Sequence, residues 1–299
     1  MSVIVAENLS KRYGRRMGIE ELDLSVPEGT LFGFLGPNGS GKTTTIRILL
    51  GFLRAGGGSA RILGRDCWRD SHRIKRDVGY LPGDLRLYSW MNGHGALRIF
   101  GGVRGLDLAA AGRELAERFG LDLTVRARSM SRGMRQKLGL ILALVHEPKL
   151  LILDEPTSSL DPLMQELLNE HLRSLARRGH TVFFSSHTLS EVEHLCDRVA
   201  ILREGRLVAD ESLEVLRRRA GREVIIRWKA EPATPPPSPP PFLRVRQQQD
   251  RQWRCALAGP IAELLAWLAP LPVDDVVIGR PDLESLFRSY YSRQAGAGA

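Results

Sequence analysis

Residues 36–43 read Gly-Pro-Asn-Gly-Ser-Gly-Lys-Thr, the spacing GxxxxGK[ST]. The residue types suit the holding of a polyphosphate. Gly36, Gly39 and Gly41 let backbone N–H groups close around phosphate oxygens at the positive end of a helix, with Pro37, Asn38 and Ser40 completing the loop. Lys42 places a compact ammonium between the terminal phosphates, and Thr43, with Thr44 beside it, offers a hydroxyl to Mg²⁺. Of 43 basic residues only six are lysines, at positions 11, 42, 75, 137, 149 and 229. A lysine at 42 in so arginine-rich a chain fits a site that needs a point charge and has no room for a planar fork.

Two further stretches end in chemistry. Residues 150–153 are a continuous apolar run, as for a buried parallel strand, and they end in Asp154-Glu155. An Asp at the carboxyl end of such a strand faces the phosphate loop and can hold Mg²⁺, directly or through water. A Glu beside it can polarise a water in line with a γ-phosphate. Alone, the pair would read equally well as a cap before Pro156; the phosphate loop upstream favours the first reading. Residues 181–184 form a second apolar run and end in Ser185-Ser186-His187, which puts His187 at the ligand-binding edge of a parallel sheet.

These residues need a scaffold. The 31–35 run predicts a strand entering the loop, and Ile46, Leu49, Leu50 and Leu53 predict a helix leaving it. The chain has 299 residues, 43% hydrophobic and 26% charged, which describes a globular protein of about two domains. Up to about residue 215, short apolar runs alternate with helix-period segments, the pattern of an α/β fold. Residues 221–299 read as a smaller α+β domain. Val224, Ile226 and Trp228 predict a strand, as do Trp253, Cys255 and Leu257, and residues 273–278 predict another. Helices open at Pro260 and Pro281, and a proline-rich loop covers 232–241.

Composition excludes several classes. No apolar run approaches the ~18–20 residues that span a bilayer, and the N-terminus lacks the pattern of a signal peptide. Cys67, Cys196 and Cys255 are far apart, which argues against a zinc site or a disulfide framework. The net charge of +9 suits an anionic partner: nucleotide phosphates, a membrane surface or nucleic acid.

Taken together, residues 3–215 resemble the ATP-binding cassette of ABC transporters. GPNGSGKT looks like the Walker A motif, and LLILDEP at 150–156 like Walker B, with Glu155 in the catalytic glutamate position. Ser159-Leu160-Asp161 looks like the D-loop, His187 like the switch histidine, and Tyr13 like the aromatic residue that stacks on adenine. The signature, typically LSGGQ, reads Met-Ser-Arg-Gly-Met at 130–134; Ser131 and Gly133 are kept, while Arg132 and Met134 depart from it. The glutamine expected after Pro82 is Gly83, followed by Asp84.

The resemblance implies a P-loop cassette over 1–220, with a RecA-like core and a helical subdomain at about 84–145, followed by the small C-terminal domain. It implies ATP and Mg²⁺ as ligands, with Thr43 and Asp154 at the metal, and a head-to-tail homodimer in which Ser131 and Gly133 of one copy face the ATP of the other. Because the chain lacks a spanning segment, it implies a separate transmembrane permease and a peripheral position on the cytoplasmic face of the membrane. Residues 84–105, with Leu85, Leu87, Tyr88, Trp90 and Met91, are the candidate docking surface, or else ordinary subdomain core. LPGDLRLY and the Leu-Glu-Ser-Leu-Phe helix at 283–287 resemble the drug- and antibiotic-export branch. The alternatives are a soluble ABC ATPase acting on nucleic acid or ribosomes, and a P-loop kinase. Translation-factor relatives would bring a second cassette and repair relatives long coiled coils, and a kinase would not explain the signature or His187.

Overall fold

The computed structural model describes residues 1–229, 238–249 and 251–292. The chain divides into two compact units, Met1–Asp210 and Glu211–Ala299. Of the proline-rich stretch at 232–241, residues 232–237 lie outside the described residues.

The first unit is built on a sheet of order β10-β9-β3-β8-β7-β6. Its strands are β3 (Leu31–Leu35), β6 (Val78–Leu81), β7 (Leu150–Asp154), β8 (Thr181–Ser186), β9 (Arg198–Arg203) and β10 (Arg206–Ser212). The pairs β3–β8, β3–β9, β7–β8 and β6–β7 are parallel. All residues of β3, β7 and β8 are buried, which is why they read as unbroken apolar runs. Phe183 lies 5.8 Å from Phe32 and 5.1 Å from Phe34, ring to ring, locking β8 to β3.

A second sheet, β2-β1-β4-β5, lies against this core. It comprises β1 (Ser2–Tyr13), β2 (Arg16–Pro27), β4 (Gly57–Ile62) and β5 (Arg65–Asp66), paired antiparallel. Leu9, Ile19, Leu22 and Leu24 from this sheet share one buried cluster with Phe32 and with Ile46 and Leu49 of helix α1 (Lys42–Leu49). Each such side chain contributes roughly 1.5–3 kcal/mol by leaving water. That shared core fixes the β1–β2 hairpin next to the phosphate loop.

Helix α2 (Ser71–Asp77) precedes β6, and helices α3 (Gly93–Arg104), α4 (Ala109–Arg118) and α5 (Arg132–Leu144) fill the chain between β6 and β7. Helix α3 occupies the second half of the candidate docking span 84–105. Its Asn92 cap accepts from Gly95 N at 2.9 Å, and five glycines in 93–105 hid the helix from a propensity reading. Helix α5 begins at Arg132, with Ser131 Oγ accepting from Met134 N at 3.2 Å. Helix α6 (Pro162–Arg177) runs between β7 and β8, and α7 (Leu189–Leu195) between β8 and β9. Gly33 is what admits α7: a side-chain carbon on it would stand 2.5 Å from Val192 Cγ1.

Two half-buried histidines of this unit give its stability a pH dependence. Burial, then the charge of Arg104, pushes His146 down to about 4 from 6.5. Burial, then Arg118 and Arg178, does the same to His171, whose Nδ1 lies 3.1 Å from Arg118 Nη1. Below pH 6.5 the unfolded chain takes up protons that the folded chain refuses until about pH 4. The stability linked to both is thus present above pH 6.5 and lost as the pH falls towards 4. Thermal melts should show Tm dropping across that window, with a flatter profile for His146→Gln/His171→Gln. An equally steep profile in the double variant would refute this.

The second unit begins with α8 (Leu213–Arg219), whose buried Leu213 and Leu216 belong with α10 (Leu283–Ser292), so the division falls ahead of residue 220. Its sheet has the order β12-β13-β11-β14: β11 (Arg222–Trp228), β12 (Leu243–Gln249), β13 (Gln252–Leu257) and β14 (Val273–Pro281), all antiparallel. Val224, Ile226, Trp228, Trp253, Cys255 and Leu257 face α9 (Ile261–Leu268) through Leu264 and Leu268. Strand β12 was not expected. Only its first half shows apolar alternation, at Leu243 and Val245, before a run of glutamines.

Candidate nucleotide site

The loop between β3 and α1 is held in a shape that needs its glycines. Gly41 has φ +112°, and a side-chain carbon there would lie 2.6 Å from Gly18 O. At Gly36 the same carbon would lie 2.4 Å from Leu202 O. The loop is pinned from outside by Gly205 N donating to Ser40 O at 2.9 Å. Pro37 and Asn38 complete it, with Gly39 at φ +80°.

Lys42 opens α1 and is 5% exposed. Its Nζ donates to Gly36 O at 2.6 Å and to Pro37 O at 3.2 Å, and lies 3.7 Å from Glu155 Oε1. Burial holds its pKa below the ordinary lysine value, against the opposing pull of the Glu155 and Asp154 carboxylates. Thr43 Oγ1 donates to Asp154 Oδ2 at 3.1 Å, and Ser185 Oγ donates to Asp154 Oδ1 at 2.5 Å. The end of β7 and the end of β8 thus meet the start of α1, as parallel register requires: Asp154 pairs with Ser185, and Leu35 with Ser186. Glu155 turns off the strand at φ +50°, which costs about 1–3 kcal/mol in a non-glycine residue. That turn brings its carboxylate within 3.3 Å of His187 Nδ1 as well as near Lys42.

A cavity of about 340 Å³ opens over the loop, lined by Tyr13, Asn38, Gly39, Gly41, Lys42, Thr43, Thr44 and Glu155, together with Arg16, Met17 and Gly18. Tyr13 is about half exposed, with its hydroxyl 3.5 Å from Thr44 Oγ1. Its ring occupies space that Gly18 leaves free, since a side-chain carbon there would lie 2.9 Å from Tyr13 Cε2. The Walker A residues, Asp154, Glu155, His187 and Tyr13 are therefore brought together. Ser131, Gly133 and Asp161 do not line this cavity. Ser131 caps α5, and Asp161 caps α6 by accepting from Met164 N at 2.9 Å. Gly133 leaves room for the D-loop backbone: a side-chain carbon on it would lie 2.9 Å from Ser159 O.

Gly83, where the resemblance expects a glutamine, sits beside the acidic pair, with a side-chain carbon at 83 placed 3.4 Å from Asp154 Oδ2. The Asp84 carboxylate, 76% exposed, pairs with Arg86 Nε at 3.0 Å. Three residues of the site were not foreseen. Gln136, buried, donates to Pro156 O at 2.9 Å and ties the signature helix to the turn after β7. Glu191 accepts from Thr157 Oγ1 at 2.8 Å and from the Ser186 hydroxyl, joining that turn to the segment before His187. Ser185 orients Asp154. Gln136 lies in an Arg-Gln-Lys run that reads as solvated surface, and nothing in the sequence marks it.

The donor set suits magnesium. A threonine hydroxyl and a carboxylate are hard oxygen ligands, and among the described residues no group of three or more His, Cys, Asp or Glu forms a protein-only metal cage. Mg²⁺ is characteristically held by one or two protein oxygens plus phosphates and water.

The sequence profile of the ABC transporter family matches residues 19–158. The bacitracin transport ATP-binding protein BcrA of Bacillus licheniformis is 37% identical over 221 residues, 73% of this chain and 72% of that one. The daunorubicin resistance ATP-binding protein DrrA3 of Streptomyces coeruleorubidus is 32% identical over 303 residues, 96% of this chain and 95% of that one. Among solved structures, an ATP-binding subunit of an ABC transporter superposes with a TM-score of 0.68 at 30% identity, covering 73% of this chain and 92% of the other. These similarities settle the family: the chain is an ATP-hydrolysing ABC transporter ATP-binding protein.

Proposed function

We propose that this subunit powers the export of a drug or antibiotic through a separate membrane permease, working as a head-to-tail homodimer. The observation that carries the dimer is the placement of Ser131 and Gly133. They match nucleotide-facing positions of the family yet lie off the cavity that contains Lys42, so they reach a nucleotide only if it is bound by a second copy. Tyr13 stacks on adenine, the 36–43 loop and Lys42 hold the phosphates, and Thr43 and Asp154 hold Mg²⁺, which screens phosphate charge when bound. Glu155 accepts a proton from the attacking water, and His187, 3.3 Å from it, orients that carboxylate and contacts the γ-phosphate. Closure of the dimer on ATP pulls on the permease, and hydrolysis resets it.

Support for a separate permease is that no helix among the described residues is long and apolar enough to cross a membrane. In this reading the subunit sits on the cytoplasmic face, bound through its partner. Within the candidate docking span, Tyr88 and Trp90 are 69% and 64% exposed with rings stacked at 5.8 Å, while Met91 is buried. The exposed pair is the part available to a membrane protein. The names of BcrA and DrrA3 support drug or antibiotic cargo, and neither favours nucleic acid.

The test is to look beside its gene for a multi-spanning membrane protein and to co-express the two. The pair should copurify, and Tyr88→Ala/Trp90→Ala should release the subunit while leaving its own ATPase rate unchanged. ATPase stimulation by RNA or DNA without any membrane association would overturn the reading.

A further inference from the structure

The β1–β2 hairpin reaches the nucleotide cavity with two side chains. Gly14 at φ +58° and Arg15 form a two-residue turn, and the register pairs Tyr13 directly with Arg16. Residues directly opposite on an antiparallel pair project from the same face of the sheet. Tyr13 and Arg16 accordingly both line the cavity. Arg16 Nη2 lies over the phosphate loop, 3.4 Å from where a side-chain carbon on Gly39 would be. Among the described residues its guanidinium makes no hydrogen bond or ion pair. Of the cavity-lining residues only Glu155 is a carboxylate, and it is engaged by Lys42 and His187.

An unpaired guanidinium above a loop built for phosphate, in the same cavity as a buried ammonium, is a site for anionic oxygen. We propose that Arg16 is a second phosphate-binding cation of the nucleotide site, supplied by the antiparallel sheet while Lys42 is supplied by the parallel core. Its ligand is the phosphate chain of a nucleoside di- or triphosphate. Arg16 offers several N–H donors to phosphate oxygens, whereas Lys42 sits beneath the loop as a point charge. A nucleotide held this way is gripped from both sheets, with Tyr13 and Arg16 dividing the hairpin's work into base and phosphate. The proposal rests on the nucleotide reading of the cavity.

The test is equilibrium titration of the full chain with ATP, ADP and adenosine, in wild type, Arg16→Ala and Arg16→Lys. Losing one charge-assisted contact should raise Kd for ATP and ADP about tenfold in Arg16→Ala. Adenosine affinity should be unchanged, and Arg16→Lys should fall between the other two. Melting without nucleotide should match wild type, since the side chain is exposed. ATP and ADP affinities within about twofold of wild type would overturn the proposal. So would an equal loss for adenosine, which would make Arg16 a support for Tyr13. Folded wild-type protein that binds no ATP would instead sink the nucleotide reading, and the proposal with it.

Discussion

Glu155→Gln should lower the rate of ATP hydrolysis about a thousandfold while leaving ATP binding intact. The substitution keeps the size of the side chain and removes its capacity to take a proton. The backbone at 155 is already left-handed, at φ +50°, and glutamine tolerates that conformation about as well as glutamate, so the turn after β7 should survive. The contacts from Gln136 to the carbonyls of 155 and 156 do not involve the side chain and should also survive. What changes is the charge 3.7 Å from Lys42 and 3.3 Å from His187. Removing it deprives the attacking water of its base. It also relieves repulsion against the nucleotide's phosphates, so ATP should bind at least as tightly as in wild type. With hydrolysis blocked and binding kept, an ATP-dependent dimer should accumulate in sedimentation. Phosphate release at the wild-type rate would remove Glu155 from its assigned role. Lost ATP binding would show instead that the carboxylate holds Lys42 in place.

The contrast between what could and could not be read from the sequence follows from how each element is buried. Strands β3, β7 and β8 are covered on both faces, so they appear as apolar runs, and their carboxyl ends mark the chemistry. The phosphate loop is local, its conformation specified by its own glycines. The hairpin β1–β2 carries register shifts along its length, and its alternation is correspondingly broken. Arg16 therefore looked like one of many surface arginines until pairing with Tyr13 fixed its face. Asp154 and Glu155 were legible as neighbours on a strand end. Gln136 and Glu191 were not, because each acts on a turn 20 or more residues away in sequence through a contact that only the folded chain creates.

Lys42→Met should abolish hydrolysis and weaken ATP binding by about a hundredfold or more, with no loss of fold. The ammonium is 5% exposed, and two of its hydrogens go to the carbonyls of Gly36 and Pro37 at 2.6 and 3.2 Å. It can exchange these for phosphate oxygens, and each charge-assisted hydrogen bond contributes about 1.5–3 kcal/mol. Losing two exceeds the roughly 2.7 kcal/mol that separates Kd values by a hundredfold. Stability should move the other way. Burial already holds the lysine below its ordinary pKa, because the charged form is poorly solvated there. Methionine of similar length replaces a buried charge with an apolar chain, so Tm without nucleotide should equal or exceed that of wild type. Lys42→Arg is the sharper control. It keeps the charge, but a planar guanidinium cannot enter a pocket closed by a carbonyl at 2.6 Å without displacing the loop. Both variants should therefore bind ATP far more weakly than wild type, one for want of charge and the other for want of room. If Lys42→Arg binds ATP like wild type, the loop is selecting charge alone and the compact ammonium has no special part in the site.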